Sequence, residues 1–261
     1  MPILAPETVV AASNAWLWIP PEAERHETDD YLLVRFPEYF LTPAEVIRTV
    51  SERPAAELVR EVIAEVRRLG LPSFIWWIKL DTTPEDLEGE LVAQGAQLDQ
   101  TLTVLARDLA EGAPGLDPPV DAVVRAVADR AGLEEAWALD AAVFGGEVPP
   151  PGDAERLVAR TVAAKAAGTD VRMVAYLNGV PVGSGGLAFA DGVLRLWGGA
   201  VVEAARGRGA YRALLDARLR WGVEHGATMA LVKGRTQTSG PILRRAGFTA
   251  YGEERSYLLM L

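Results

Sequence analysis

The chain has 261 residues, of which 49% are hydrophobic and 24% charged, and this balance excludes a wholly disordered protein. With no cysteine and only two histidines, His26 and His225, the sequence excludes disulfides, thiolate metal sites and cysteine nucleophiles, and we expect no metal site. The net charge of −10 disfavours nucleic acid as a partner, and the absence of long apolar runs disfavours membrane insertion, so we expect a cytoplasmic protein.

The first part of the chain alternates between predicted helices and strands. An amphipathic helix is predicted from Pro54 to Leu69, followed by a glycine that caps its C-terminus. The continuous apolar run from Ser73 to Ile78 predicts a buried strand. Thr83 is predicted to cap a second helix that ends at Gly95, and Thr101 to Ala106 alternates as a strand does.

Proline and glycine then cluster between Gly112 and Pro119, a composition typical of a linker between independently packed units. The chain length also predicts about two domains. We therefore divide the chain into a first domain of residues 1–112, a linker of residues 113–120 and a second domain of residues 121–261.

A strand, two helices and a three-stranded meander are predicted after the linker. The turn sequences Asn178-Gly179 and Asp191-Gly192 are strong hairpin signals between runs of strand-forming residues. The predicted elements are, in order, a strand from Asp121 to Val127, helices Leu133–Val143 and Ala154–Ala167, the meander, a helix from about Arg208 to His225, a strand Thr228–Val232, a helix Gly240–Ala246 and a final strand near Ser256–Leu261.

The two halves of the chain end alike. Each runs through a helix, a glycine, a strand, a short helix, a second glycine and a strand. This order suggests a divergent internal duplication, although helix-strand-helix patterns are common.

The sequence Arg206-Gly-Arg-Gly209 lies where a predicted strand turns into a helix. At such a junction the first helical N–H groups lack internal partners, the helix dipole is positive, and glycines let the backbone approach a ligand. Arg206, Arg208 and Arg212 add positive charge, so the segment fits a pyrophosphate cradle. No Lys-Ser/Thr pair follows, which disfavours a nucleotide P-loop. Taken alone, this four-residue sequence also fits the start of an ordinary helix.

In its surroundings this segment resembles the acyl-CoA motif of the GNAT N-acetyltransferase superfamily, Gln/Arg-x-x-Gly-x-Gly/Ala. Arg206 and Gly209 match that pattern, whereas Tyr211 departs from it. Ser239 and the Gly-Phe pair ending at Phe248 match later parts of the family's pattern, whereas Thr236 replaces an Asn of that pattern. The resemblance implies an α+β fold with a mixed, mostly antiparallel sheet flanked by helices, in two tandem units. The first of these lacks the CoA motif.

The resemblance also implies where acetyl-CoA, the acyl donor, binds. A pantetheine arm carries amides spaced like those of a peptide, so it can pair with an open strand edge near Val201. Gly198 and Gly199 then mark a β-bulge or the close approach of another backbone. Alternatively, they are glycines that only make room for packing. The residues assigned to acetyl-CoA are Ala200, Val201, Val202, Arg206, Gly207, Arg208, Gly209, Ala210, Tyr211, Arg212, Ala213 and Ser239.

The implied activity is that of an N-acetyltransferase in which a primary amine attacks the thioester directly, with a backbone N–H near Val201 stabilising the oxyanion. The acceptor is a small-molecule or peptide amine. Glu203 and Glu147 are candidate bases, although each also fits a solvated surface acid. Leu243 stands where the family often has a tyrosine that protonates the departing thiolate, so Tyr211, Tyr251 or water would have to take that role.

Two other functions stay open. A catalytically silent module that binds acyl-CoA would explain the missing tyrosine at Leu243, and a small-ligand or scaffold protein would need no CoA at all. Other prominent residues have structural interpretations. Trp76, Trp77 and Trp197 fit a core or a cleft wall, and His225 fits a helix C-terminal cap.

Overall fold

The computed structural model of the protein describes residues 4–38, 40, 42–145 and 151–261. In the first half of the chain the elements are α1 (Pro6–Asn14), β1 (Glu24–Glu27), β2 (Tyr31–Arg35), β3 (Ala44–Thr49), α2 (Ala55–Arg68), β4 (Ser73–Ile78), α3 (Leu87–Ala93) and β5 (Gln97–Asp108). In the second half they are β6 (Ala122–Ala126), α4 (Arg130–Phe144), α5 (Pro151–Ala166), β7 (Asp170–Leu177), β8 (Val180–Ala190), β9 (Val193–Val201), α6 (Ala210–Glu224), β10 (Met229–Arg235), α7 (Ser239–Arg245) and β11 (Thr249–Met260).

Contact density divides the chain into two units. The N-terminal unit contains Ala5–Leu105 together with Gly234–Arg245 and Ala250–Leu261, and the C-terminal unit contains Ala106–Lys233 together with Ala246–Thr249. The predicted linker thus lies within the C-terminal unit, and most of the strand β11 lies within the N-terminal unit. The division into domains 1–112 and 121–261 follows the order of the sequence and stays a prediction.

The N-terminal unit is built on strands in the order β1-β2-β3-β4-β11-β5. Strands β3 and β4 are parallel, while β11 runs antiparallel to β4 with Arg255 opposite Ile78 and Met260 opposite Ser73. The apolar stripe of α2 packs on this sheet because its spacing puts four aliphatic side chains on one helix face. The buried core includes Leu58, Val59, Val62 and Val66 of α2 with Phe74 and Trp76 of β4.

The C-terminal unit is built on strands in the order β10-β9-β8-β7-β6. All neighbours are antiparallel except β9 and β10. One core lies on the α4 and α5 side of the sheet around Leu133 and Val174, and another lies around Leu177 and Val201. The expected α+β fold, a mixed and mostly antiparallel sheet flanked by helices, is confirmed. Among the described residues, the helices are too short or too polar to cross a bilayer.

Most of the predicted elements are confirmed, including both hairpins. Asn178 and Asp191 have φ of +51° and +53°, as the Asn-Gly and Asp-Gly turns require. The predicted start of α3 at Thr83 is wrong. The Thr83 hydroxyl accepts the Ser51 N–H at 2.9 Å and is not free to cap the helix, which begins at Leu87.

The C-terminal end of α6 matches its prediction. His225 ends the helix, with its Nδ1 2.7 Å from the Trp221 carbonyl oxygen and its ring stacked on the Trp221 indole. Asp216 of the same helix is only 3% exposed, although charged residues of a helix usually face solvent. It accepts the Leu116 N–H at 3.3 Å and pairs with Arg220, because the linker backbone covers this side of the helix.

Candidate functional site

A β-bulge interrupts the pairing of β9 with β8. Ala200 lies opposite Ser184 and Trp197 lies opposite Gly186, so Gly198 and Gly199 together face the single residue between those partners. Gly198 has φ of +58°, a left-handed conformation that glycine adopts without strain. Bulges re-aim backbone groups and are frequent beside active sites.

Beyond the bulge, β9 leaves one backbone edge open. Its parallel pairing with β10 covers Val193 to Leu196 and goes no further, whereas its pairing with β8 continues to Val201. The Val202 N–H donates to Val182 on the β8 side at 3.0 Å. Since backbone groups alternate along a strand, the N–H and C=O of Val201 point the other way. We call residues 197–201 the open edge.

The turn from β9 into α6 places the first amides of the helix beside two glycines. After a short 3₁₀ turn at Glu203–Ala205, Gly207 and Gly209 adopt left-handed φ of +77° and +84°. The Ala213 N–H donates to the Gly209 carbonyl at 3.0 Å and begins the helical ladder. The amides of residues 210–212 precede it and have no acceptor within the helix. They are available to an anion at the helix N-terminus.

Three arginines surround this turn, and all three are exposed. Arg206 donates through Nε to the Val201 carbonyl at 3.2 Å, which joins the turn to the open edge. Arg208 and Arg212 extend from the same turn. The predicted cradle therefore combines free amides, left-handed glycines and three cationic side chains in a chain of net charge −10.

Tyr211 is brought against the bulge. A Cβ on Gly199 would lie 3.1 Å from Tyr211 Cε2 and 3.4 Å from its hydroxyl oxygen, so Gly199 makes room for this ring. Gly199 thus makes room for packing, and Gly198 provides the left-handed conformation of the bulge. Of the two catalytic candidates that the structure describes, Glu203 and Tyr211, it is Tyr211 whose side chain contacts the open edge.

The remaining candidates have different surroundings. Glu203 is exposed in the 3₁₀ turn, and Glu147 lies outside the described residues. Ser239 is the first residue of α7, which belongs to the N-terminal unit. Leu243, in place of the family's tyrosine, is fully buried.

Asp140, Arg172 and Ser184 form a polar cluster on the α4 side of the sheet, which the sequence motifs do not predict. Asp140 accepts hydrogen bonds from Ser184 and Arg172, and the Arg172 guanidinium lies 5.2 Å from the centre of the Trp197 ring. Trp197 in turn donates a hydrogen bond to Asp170. Burial raises the pKa of Asp170 to about 6, although the hydrogen bond from Trp197 acts to lower it. A signal was present in α4, where Asp140 falls at the buried spacing of Leu133 and Ala136.

The corresponding turn of the N-terminal unit holds a carboxylate of the chain itself. Ser51 and Arg53 lie between β3 and α2, and Asp30, which precedes β2, accepts from the Ser51 hydroxyl at 2.6 Å and from Arg53 at 3.0 Å. The hydrogen bonds from Ser51 and Arg53 hold the pKa of Asp30 below its usual value. Pro54 precedes the first helical residue, and the segment has no glycine. An internal ion pair thus stands where the other half has a glycine turn.

Comparisons with known proteins agree with this geometry. Residues 135–248 match the model of the acetyltransferase (GNAT) family. No curated protein sequence matches the chain significantly.

Three solved structures show the same fold at low sequence identity. A GCN5-related N-acetyltransferase from Kribbella flavida is 15% identical with a TM-score of 0.69, over 97% of this chain and 95% of its own. One from Sphaerobacter thermophilus is 17% identical with a TM-score of 0.65, over 88% and 76%. A tandem GNAT protein from the clavulanic acid biosynthesis pathway is 13% identical with a TM-score of 0.62, over 96% and 87%.

Proposed function

We propose that the protein transfers an acetyl group from acetyl-CoA to a primary amine, because residues 135–248 match the model of the acetyltransferase (GNAT) family. The observation that carries the proposal is the continuity of two backbone features. The open edge of β9 runs through Val201 directly into the glycine turn at the start of α6. A strand edge and an anion site joined in this way match a ligand that has peptide-like amides at one end and a pyrophosphate at the other.

In this proposal the residues of the turn hold the donor. The amides of residues 210–212 and the side chains of Arg208 and Arg212 bind the pyrophosphate, and Arg206 remains beside the Val201 carbonyl. The pantetheine amides pair with the open edge. Glycine at position 207 keeps the backbone free of a side chain where the phosphates approach, whereas the missing Cβ of Gly209 makes room for Pro119.

The reaction proceeds in a ternary complex of donor and amine. The amine nitrogen attacks the thioester carbonyl carbon, and the carbonyl oxygen becomes an oxyanion that the Val201 N–H stabilises. The C–S bond then breaks, the thiolate of CoA leaves, and the nitrogen loses a proton. Because an alkyl ammonium has a pKa near 10.4, its proton must be removed before attack, by Glu203, Glu147 or a water. Tyr211 is proposed to protonate the thiolate.

Acetyl-CoA binding tests the cradle directly. Arg208→Glu replaces an exposed cation with an anion at the helix N-terminus and should weaken acetyl-CoA binding at least about tenfold in isothermal titration. Arg160→Glu, at an exposed arginine of α5 in the same unit, makes the same charge change away from the turn. Its affinity should stay within about threefold of the wild type. Equal affinity in both variants would remove the pyrophosphate assignment.

A silent acyl-CoA-binding module remains the second candidate, because the fully buried Leu243 provides no acid where the family often has a tyrosine. The two functions differ in product. A panel of polyamines, aminoglycosides and peptides should include an amine that releases free CoA, detected as thiol. A silent module would bind acetyl-CoA and release none.

A further inference from the structure

Arg218 is a buried cation directly behind the bulge. It lies on α6, and its side chain is among the most completely buried large side chains, at 1% exposed. It donates hydrogen bonds to three main-chain carbonyls. Nε donates to Leu214 on its own helix at 3.2 Å, and Nη1 donates to Gly186 at 3.2 Å and, more weakly, to Trp197 at 3.5 Å.

The two carbonyls on the sheet are those of the residue pair next to the bulge. Gly186 and Trp197 face each other across β8 and β9 immediately before the register shift. One guanidinium group therefore joins both strands, at the point where β9 begins to diverge from β10, to the helix that starts in the glycine turn.

Missing side chains make this position possible. A Cβ on Gly185 would lie 3.0 Å from Nη1 of Arg218, and a Cβ on Gly199 would lie 3.3 Å from its Nη2. Tyr211 adds a hydrogen bond to the guanidinium, and burial holds the pKa of Arg218 below its ordinary value. A buried cation costs free energy unless hydrogen bonds compensate, so these contacts keep the group in one place.

We propose that Arg218 is a positioning residue that holds the bulge of β9 against α6, so that the Val201 N–H faces the thioester carbonyl. This inference rests on the proposed function. Arg218 does not touch the donor. It acts through the carbonyls of Gly186 and Trp197, because their position sets where β9 turns its backbone after the bulge.

The test uses acetyl-CoA labelled with ¹³C at the carbonyl, bound to the full-length protein and observed by NMR. A hydrogen bond from a backbone N–H polarises the carbonyl and moves its resonance downfield of the free value. We expect this displacement in the wild type and its loss in Arg218→Lys, which keeps the charge but cannot donate in three directions from a planar fork. The dissociation constant should stay within about threefold, since the glycine turn is unchanged.

Two further variants separate positioning from folding. Gly185→Ala lies on β8 opposite the bulge, where its methyl group would lie 3.0 Å from Nη1 of Arg218 and 3.4 Å from the Gly199 Cα. It should displace the guanidinium and reproduce the loss of the carbonyl shift. It also carries the test if Arg218→Lys does not fold. Leu219→Ala removes a fully buried side chain of the same helix, so it should lower the melting temperature and leave the carbonyl shift intact.

Each result decides between two explanations. A carbonyl shift that persists in both Arg218→Lys and Gly185→Ala overturns the positioning role while the proposed function stands. Loss of the shift in Leu219→Ala as well would reduce the effect to general destabilisation and also overturn it. A wild type that does not bind acetyl-CoA overturns the proposed function, and the inference with it.

Discussion

Three residues at α6 have partners at very different distances along the chain. His225 as a C-terminal cap is a local property, because its partner carbonyl at Trp221 lies one turn away on the same helix. The burial of Asp216 and Arg218 is not local. Asp216 is covered by a backbone segment one hundred positions earlier, and Arg218 is enclosed by glycines of two other strands. Charged residues on a helix predict solvent exposure until the covering segments are known.

Asp170 gives a pH-dependent prediction. Burial raises its pKa to about 6, so between pH 4 and 6 the folded protein binds more protons than the unfolded chain does. Stability should therefore fall as the pH rises through this range, and Asp170→Asn should remove the loss, because an amide keeps the acceptor for Trp197. At pH 7.5 the variant should be more stable by about 1–2 kcal/mol.

Urea unfolding at pH 4.5 and pH 7.5 measures this effect. Asp153→Asn, on α5 of the same unit, is the matched control, and its stability should respond much less to the substitution. A variant no more stable than the wild type at pH 7.5 would show that the Asp170 carboxylate is sufficiently solvated as it stands.

Elements with local signals were predictable, and those with distant partners were not. The strand β4 and both hairpins follow from an apolar run and from turn residues, and their bounds agree with the structure. The glycine turn before α6 was also predictable. The start of α3 was not, because Thr83 binds Ser51 instead of its own helix. The cluster around Asp140 was not predictable, because its residues come from three elements. The bulge opposite Gly185 was not predictable either, because it depends on the register of β8 and β9.

The glycine turn itself gives a prediction about stability. Gly209→Ala should cost about 2 kcal/mol, because its φ is +84° and a Cβ would lie 2.8 Å from Pro119 Cδ and closer still to Cγ. Gly207→Ala should cost about 1 kcal/mol, since its φ is +77° and no atom lies within 4 Å of the added carbon.

Urea midpoints of the two single variants, and of Gly209→Ala combined with Pro119→Ala, resolve the two contributions. The double variant should recover the part caused by the proline. Equal losses at both glycines would mean that Pro119 moves aside without cost.

At the scale of the whole molecule, the units do not follow the order of the chain. β11 comes from the end of the chain and pairs with β4 along six residues. Arg255 donates through Nε and Nη2 to Glu88 at 2.6 and 2.7 Å, and Leu259 is in the core of the N-terminal unit. A proline-rich segment predicts one domain boundary, but amino-acid composition carries no signal for which sheet a distant strand enters.

Residues 1–112 alone should therefore fail to fold cooperatively. They lack β11 and its buried Tyr257 and Leu259, each of which contributes about 2 kcal/mol through burial. The same residues joined through a flexible Gly/Ser linker to residues 249–261 should regain a cooperative transition.

Urea unfolding followed by circular dichroism compares the two polypeptides. A linked tail in which Tyr257 and Leu259 are both changed to Ser is the matched control and should not restore the transition. Cooperative unfolding of residues 1–112 alone would show that the predicted domain boundary is also a folding boundary.

The place of β11 sets an order in time as well as in space. Translation produces β4 about 170 residues before β11 begins, which at ordinary rates of synthesis is on the order of ten to thirty seconds. Throughout that interval the edge of β4 that will receive β11 has no final partner, and unpaired strand edges invite wrong pairing between nascent chains. The half of the molecule that is made first is thus the half that is finished last.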